Sequence, residues 1–210
     1  MAKALRYPAR PRSITTSARE RLLASATKLF CRHGINSVGV DAIVEGAGTA
    51  KASLYNIFGS KDALACEVLN HEGLRWRNWI FKGIDSCDGD PAAKLLHIFD
   101  LLHVWFGHRE YFGCPFINTV AQHDKCDNKM REIALKHKKI VLDRIRQLVF
   151  AAGMHHPEET AHELGIIIDG AIVAALITQD SKVAQVAKNI AKVLIEARTT
   201  HSEADNLQSA

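Results

Sequence analysis

The chain has 210 residues, of which 47% are hydrophobic, and its formal net charge is +4. This length allows a real core in one large or two small domains, and five scattered cysteines without a CxxC pair argue against a disulfide framework or zinc ribbon. Residues 1–60 hold nine Lys/Arg against three Asp/Glu, whereas the rest holds 18 against 20. An excess of basic residues in the first 60 indicates that this part of the chain, the head, binds a polyanion. The alternative is a basic surface that only keeps the protein soluble.

The first 14 residues are basic, contain two prolines and show no periodicity. We expect a flexible basic arm, either along DNA phosphates or simply disordered. The arm has no apolar run typical of a secretory signal. The longest apolar stretch, residues 164–178, is interrupted by Asp169 and is too short to span a bilayer. The sequence therefore predicts a cytoplasmic protein with no membrane partner.

A capping box opens the first predicted helix. Ser17 is followed three residues later by Glu20, which favours a helix that begins there and runs to about His33. Apolar residues at helical spacing form one stripe along it. Gly34 is the natural stop. This helix is expected to brace the two that follow.

Residues 40–61 predict two short helices, at 41–47 and at about 50–58. Gly48 supplies the tight turn between them, and Thr49 is predicted to be the N-cap of the second helix. The apolar residues of both helices can close a small core while the polar ones point elsewhere. This is the helix-turn-helix pattern, whose second helix enters the major groove of DNA.

The remainder of the chain also has helical periodicity. Two caps are predicted, at Asp90 before Pro91 and at Ser181. Residues 199–210 are polar, and a frayed tail is expected at 200–210. The sequence therefore predicts an all-α protein of about nine helices, the last six at about residues 61–83, 91–108, 113–120, 127–152, 157–179 and 181–198.

Several spaced positions of the head form a specific pattern, Phe30-x-x-x-Gly34, Ile43-x-x-x-Ala47-Gly48 and Leu54-Tyr55-x-x-Phe58-x-x-Lys61-x-x-Leu64. In this pattern residues 17–64 resemble the DNA-binding domain of the TetR family of transcriptional regulators. Val44 stands where the family usually has Ala, and Gly39 replaces the usual hydroxyl residue and removes one expected phosphate contact. The resemblance implies a helix-turn-helix domain at 15–62 and a ligand-binding and dimerisation domain at 63–199.

The resemblance also implies that Tyr55 and Lys61 bind phosphates and that residues at the start of the second helix, the recognition helix, contact the edges of the bases. The chemistry fits, because Lys can reach guanine, Asn can pair with adenine and Ala can meet a thymine methyl. Simple packing of Tyr55 and a solvated Asn56 are the alternatives. The predicted DNA-binding residues are Thr49, Lys51, Ala52, Ser53, Tyr55, Asn56 and Lys61.

The last two predicted helices are rich in apolar and small residues, which permit close helix packing. A core helix alone would explain this pattern. The resemblance implies a four-helix dimer interface instead, and a homodimer would place two recognition helices on a palindromic operator. The predicted interface residues are Ile166, Gly170, Val173, Ala174, Ile177, Val186, Ile190 and Val193.

The body is expected to bind a small, partly hydrophobic effector in a mainly apolar pocket with a few polar groups. Any single residue of this set is more simply an ordinary core residue. The resemblance implies a population shift, in which effector-bound dimers prefer a head spacing that mismatches the operator. The predicted lining is Trp79, His97, Leu101, Trp105, Phe112, Cys114, Phe116, Asn118 and His123.

The sequence and the resemblance together predict a DNA-binding transcriptional regulator, a homodimeric repressor that leaves its operator when the effector binds. Cys114 at a helix N-terminus could instead be a redox or electrophile sensor. Metal sensing is disfavoured, because His97 and His103 do not share a helical face and only His155 and His156 are adjacent. The sequence has no nucleophile elbow, P-loop, HExxH or dinucleotide fingerprint, so neither an enzyme nor a cofactor is expected.

Overall fold

The computed structural model describes residues 6–8, 17–122 and 128–208. Within these ranges the chain forms nine helices and no strand, which confirms the all-α prediction. The helices are α1 (Ala18–His33), α2 (Val40–Ala47), α3 (Lys51–Phe58), α4 (Lys61–Asp85), α5 (Pro91–Phe106), α6 (Pro115–Gln122), α7 (Asn128–Ala151), α8 (Pro157–Thr178) and α9 (Val183–Gln208).

Local sequence signals account for both ends of α1. The Glu20 backbone N–H donates to Ser17 Oγ at 3.3 Å, and the Ser17 N–H donates to Glu20 Oε2 at 2.9 Å, which confirms the capping box. At the other end Gly34 has φ of 83°, and its N–H donates to the Phe30 carbonyl at 2.9 Å. A residue with a Cβ would be strained in this conformation, so glycine ends the helix.

Two further predicted caps differ in outcome. Asp90 caps α5 by accepting from the Ala93 N–H at 2.7 Å, and Pro91 is the first helical residue, as predicted. The Ser181 cap is wrong. α9 begins at Val183, and the side chain that accepts a backbone N–H before it is Asp180, from Lys182 at 2.9 Å.

The last helix is longer than the sequence predicted. α9 was expected to end near Arg198, before a frayed polar tail at 200–210, but it continues to Gln208. No Gly or Pro occurs between residues 199 and 208, so nothing in the covalent chain stops the helix after Arg198. Polarity predicted an exposed segment, and exposure does not end a helix.

The chain divides into two compact units. Of the described residues, one unit contains 8, 17–76, 114–122 and 128–137, and we call it the head unit. The other contains 6–7, 77–113 and 138–208, and we call it the body unit. The head unit is therefore larger than the predicted DNA-binding domain at 15–62, because it takes in α6 and parts of α4 and α7.

Helix α5 lies in the core of the body unit, where it packs against α8 and α9. Its apolar side chains are buried on most sides, as its composition predicted. Lys188 of α9 donates to both Asp100 carboxylate oxygens at 2.7 Å, and Tyr111 donates its hydroxyl hydrogen to the Ile172 carbonyl at 2.7 Å. The buried α5 residues are Leu95, Ile98, Phe99, Leu101, Leu102, Trp105 and Phe106.

Helix α8 is the most apolar long helix in the described part of the chain. Residues 164–178 were predicted to be too short to span a bilayer. The helix that contains them has 22 residues, and by length and composition it could cross a membrane. The core helix of a soluble protein can have the same length and composition. Asp169, which interrupts the apolar run, forms an ion pair with Lys138 of α7.

Candidate nucleic-acid interface

Three helices of the head unit form the core that supports the recognition helix. Leu22 of α1, Ile43 of α2 and Leu54 of α3 are fully buried, and each of the three helices packs against the other two. Arg21 donates its Nε hydrogen to the Ala47 carbonyl at 3.0 Å, which stabilises the C-terminal end of α2. Each helix is too short to be stable alone, so this packing fixes their orientation.

The turn between α2 and α3 depends on glycine. Gly48 has φ 58° and ψ 45°, the left-handed conformation that glycine adopts without strain. The Thr49 N–H donates to the Val44 carbonyl at 3.0 Å and closes the end of α2. Glycine at this position therefore sets the direction in which α3 leaves α2.

The outer face of α3 carries most of the predicted DNA-binding side chains. Lys51, Ala52, Tyr55 and Asn56 are exposed, whereas Ser53 is half-buried. Tyr55 is 45% exposed, so simple packing does not account for this large ring. The helix thus presents a cation, an amide, a methyl group and a phenol on the surface. Side chains with these groups are the ones that contact base edges and phosphates in protein–DNA complexes.

Two of the predicted contact residues have side-chain polar groups that are either buried or already hydrogen-bonded within the head unit. Thr49 is not the N-cap of α3, because the helix begins at Lys51 after Ala50. The Thr49 hydroxyl is buried and has no hydrogen-bond partner within the described ranges. Lys61 donates its ammonium hydrogens to the carbonyls of Ile35 and Val38, both at 3.1 Å. Its contact with a phosphate stays a prediction, and it would require that the ammonium group move or share its hydrogens.

An acidic partner lies next to the recognition helix. Lys51 Nζ is 3.0 Å from Asp41 Oδ1, and both side chains are largely exposed. The pKa of the Lys51 ammonium is raised above its ordinary value, because its hydrogen bond to Asp41 and the charge of Asp41 favour the protonated form. Exposed ion pairs contribute little to stability. The pair can therefore open when a phosphate or base edge approaches.

We expect Asp41→Asn to bind DNA more tightly than the unaltered protein. The change frees Lys51 and removes a carboxylate that would repel phosphates near the recognition helix. Fluorescence anisotropy at two salt concentrations measures the effect, which should shrink as salt screens the charges. Glu45→Gln is the matched control, because Glu45 is an exposed acid on the same helix. Equal affinities for the two variants would contradict a specific role for the Asp41–Lys51 pair.

Comparison with known proteins agrees with this geometry. Residues 22–68 match the family model of bacterial regulatory proteins of the tetR family. The HTH-type transcriptional regulator LmrA of Bacillus subtilis is 26% identical over 170 residues, which cover 78% of this chain and 89% of LmrA. SCO4454, a TetR-family transcriptional regulator from Streptomyces coelicolor, has a TM-score of 0.80 at 25% identity and covers 87% of this chain and 96% of its own. The chain belongs to the TetR family.

This TetR-family chain is therefore a DNA-binding transcriptional regulator of the helix-turn-helix type. Its relatives are described as transcriptional regulators and not as enzymes. A second relative, the uncharacterised HTH-type regulator YxaF of Bacillus subtilis, is 25% identical over 171 residues, 78% of this chain and 87% of YxaF. The similarity extends beyond the helix-turn-helix into the rest of the chain.

The body unit of the TetR-family chain contains five of the predicted effector-binding residues. Trp79, Leu101 and Trp105 are buried, Phe112 is half-buried, and His97 is half-buried with its Nδ1 3.3 Å from Asp100 Oδ2. The structure also places Tyr7, from the predicted basic arm, against Trp79 and Trp105. No periodicity or motif in the sequence marks Tyr7 as a member of this group.

The head unit contains three more of these residues, and His123 lies outside the described ones. Phe116 is buried and its ring stacks on His137 at 4.0 Å between centroids, with 16° between the planes. Asn118 is half-buried, and its N–H donates to the Cys114 carbonyl at 3.0 Å. Cys114 itself is buried, which restricts the access of an oxidant to its thiol.

Sequence reasoning missed three buried polar or aromatic residues of the head unit. Glu72 is buried, and Arg75 donates two hydrogen bonds to it at 3.0 and 3.2 Å. Trp76 and His137 are also buried, and the centroids of their rings are 5.8 Å apart. These residues lie in polar stretches of α4 and α7 that indicate solvent-exposed surfaces. Only three-dimensional packing shows that they are inside.

The predicted dimer residues lie on the surface of the single chain. Ile166 is 71% exposed, Ile177 is 75% exposed and Val193 is 68% exposed. Val173, Val186, Ile190 and Gly170 are also exposed, and Ala174 is half-buried. The core-helix alternative is therefore insufficient for this side of α8 and α9, since a core residue would be covered within its own chain.

Metal-binding side chains are dispersed over the described residues. In ranges 6–8, 17–122 and 128–208, no group of three or more His, Cys, Asp or Glu side chains is placed to hold a metal ion. His155 and His156, the adjacent pair in the sequence, have ring centroids 6.3 Å apart. Neighbours in sequence do not suffice for a metal site when the third and fourth ligands are missing.

Proposed function

We propose that the protein is a cytoplasmic repressor that binds a palindromic operator as a homodimer and releases it when a small, partly hydrophobic effector binds the body. The observation that carries this proposal is the exposed apolar surface of α8 and α9. Single exposed apolar residues are normal, whereas six on two helices that pack against each other favour an interface.

The spacing of these residues supports a helix-to-helix interface. Ile166, Gly170, Val173 and Ile177 follow one another at intervals of four, three and four, which places them on one stripe of α8. Val186, Ile190 and Val193 repeat the same spacing on α9. Small residues within the α8 stripe, Gly170 and Ala174, permit a close approach of a second helix.

Dimerisation accounts for the way in which a short recognition helix can specify a site. Eight residues of α3 read only a few base pairs, whereas a two-fold dimer presents two copies of the helix. The two half-sites then form an inverted repeat, with centres about one helical turn or a multiple of it apart. We therefore expect two chains on each operator.

Selection from a random pool of double-stranded DNA tests this proposal. Repeated rounds of capture by the full chain should enrich an inverted repeat, and native mass spectrometry should find two chains on each duplex. A selected site without two-fold symmetry, bound by one chain, would contradict the homodimer. Placing the selected site between a promoter and a reporter gene should lower expression if the protein is a repressor, and an increase would indicate an activator.

The buried aromatic residues of the body unit support a partly hydrophobic effector. Trp79 and Trp105 are large, amphipathic and clustered with further rings, as in sites that bind small organic molecules. An effector releases DNA only if it binds the DNA-free conformation more tightly than the DNA-bound one. The thiol-sensor alternative has weaker support, because Cys114 is buried.

A further inference from the structure

A tyrosine from the N-terminal segment lies within the aromatic cluster of the body unit. The Tyr7 ring is 4.9 Å from the Trp79 ring with 84° between their planes, 5.2 Å from His108 and 6.2 Å from Trp105. The contacts with Trp79 and His108 are edge-to-face, which is a favourable arrangement of aromatic rings, whereas the Trp105 ring is tilted by 38°. We call the cluster of Trp79, Trp105 and His108, against which the Tyr7 ring packs, the aromatic site.

The backbone next to Tyr7 shows that the side chain alone is inserted. Arg6 and Pro8 are exposed, whereas Tyr7 is half-buried. Arg75 donates an Nη1 hydrogen to the Pro8 carbonyl at 2.8 Å. Tyr7 and Pro8 of the predicted flexible basic arm thus have contacts within the chain, and the rest of that arm, apart from Arg6, lies outside the described residues. Three ring contacts within the body unit position the Tyr7 side chain.

The aromatic site contains a hydrogen-bond donor that Tyr7 does not satisfy. Trp79 is 6% exposed, and its indole Nε1 is buried without a hydrogen-bond partner in the described part of the chain. A buried N–H group without an acceptor is rare and unfavourable, since it has lost water and gained nothing in return. The Tyr7 ring fills space beside this indole, yet the N–H still lacks an acceptor.

We propose that Tyr7 is a built-in occupant of a ligand site, and that the ligand is a planar aromatic molecule with a hydrogen-bond acceptor that displaces the tyrosine ring. Such a ligand reproduces the ring contacts of Tyr7 and also accepts from Trp79 Nε1. The existence of the site is independent of the proposed function. Its connection to DNA release rests on that function.

A tethered occupant lowers the apparent affinity for the ligand. If Tyr7 fills the site for about nine-tenths of the time, the free protein is competent for about one-tenth of it, and the apparent affinity falls roughly tenfold. Removing the Tyr7 ring should raise the apparent affinity for the ligand by about the same factor. Replacing the tyrosine ring by a phenylalanine ring should leave the apparent affinity nearly unaltered.

Calorimetric titration with 2-naphthol as the probe tests the proposal. Tyr7→Ala should bind the probe about tenfold or more tightly than the unaltered protein, and Tyr7→Phe should bind it with nearly unaltered affinity, because the ring remains. Adding Trp79→Phe to Tyr7→Ala keeps a ring and removes the N–H donor, so it should weaken the binding again. Equal affinity of Tyr7→Ala and the unaltered protein would overturn the proposal.

A second measurement, fluorine NMR, observes Tyr7 in the protein that retains this residue. The chain has three tyrosines, so protein labelled with 3-fluorotyrosine should give three fluorine signals, and the one missing in Tyr7→Phe belongs to Tyr7. Saturating 2-naphthol should move the Tyr7 signal towards that of free fluorotyrosine and leave the exposed Tyr55 signal in place. Binding without a change at Tyr7 would show that the probe does not displace it, contrary to the proposal.

DNA retention separates this inference from the proposed function. If Tyr7→Ala binds 2-naphthol more tightly and DNA stays bound in its presence, the site stands and only its connection to DNA release fails. If another small molecule releases DNA while Tyr7→Ala shows no gain in affinity for the probe, the ligand-released repressor stands and Tyr7 is an ordinary packing residue.

Discussion

The double variant Lys51→Ala, Tyr55→Phe should lose operator binding by about a hundredfold or more, because it removes a base contact and a phosphate contact from each recognition helix. A well-formed base contact contributes about 1–3 kcal/mol, and a dimer loses it twice. Both side chains are exposed, so the melting temperature should stay near that of the unaltered protein. A gel shift with the selected operator measures binding, and circular dichroism measures melting.

Two controls make this result specific to the recognition helix. Lys182→Ala removes one exposed lysine from the loop before α9 and should leave operator binding unaltered. Asn56→Ala should weaken binding mainly to operators that retain the adenine it reads, whereas loss of a phosphate contact weakens binding to all sequences alike. Full retention of the operator by the double variant would show that other residues of the head contact DNA.

The local structure of the head could be predicted because it depends on a few neighbouring residues. The Ser17–Glu20 capping box, the Gly34 stop and the Gly48 turn each act over less than one helical turn of chain. Thr49 shows the limit of this reasoning, since a good capping residue was present and Ala50 took the N-cap position instead. The geometry of the turn, fixed by Gly48 and the packing of α3 on α1, decided where the helix began.

Interactions between distant parts of the chain could not be predicted from the sequence. Lys61 has the sequence context of a phosphate ligand, yet it donates to two carbonyls that lie 23 and 26 residues earlier. Tyr7 and Trp79 are far apart in the chain, and no periodicity relates them. Glu72 looks like a solvated helix residue until its burial is known. In each case the chain packing, not the residue type, determines the partner.

The exposed apolar stripes of α8 and α9 could be identified only from the sequence and the structure together. The sequence shows apolar residues all around α8, which a buried helix and an interface helix share. The structure shows which of them the chain itself covers. Ile168, Ala171 and Ala175 are buried in the chain, whereas Ile166 and Ile177 are left on the surface. The uncovered side is the one that a second chain would need.

Ile177→Glu should convert the proposed dimer into monomers and abolish operator binding. Ile177 is 75% exposed in the single chain, so the change costs the monomer little stability. In the dimer it would bury two unpaired carboxylates, each at a cost of several kcal/mol. Light scattering should then find a mass of 23.2 kDa in place of twice that value.

The same experiment distinguishes loss of the interface from general effects of added charge. Gln185→Glu adds a carboxylate to the polar side of α9, where the Gln185 side chain is exposed and donates to Asn189 Oδ1 at 3.1 Å, and this variant should remain dimeric. Val193→Glu, on the apolar stripe of the same helix, should behave like Ile177→Glu. A dimer that survives both stripe variants would contradict this interface. If the variants become monomers and still bind a palindrome with full affinity, each half-site must be read independently, and head spacing could not control DNA release.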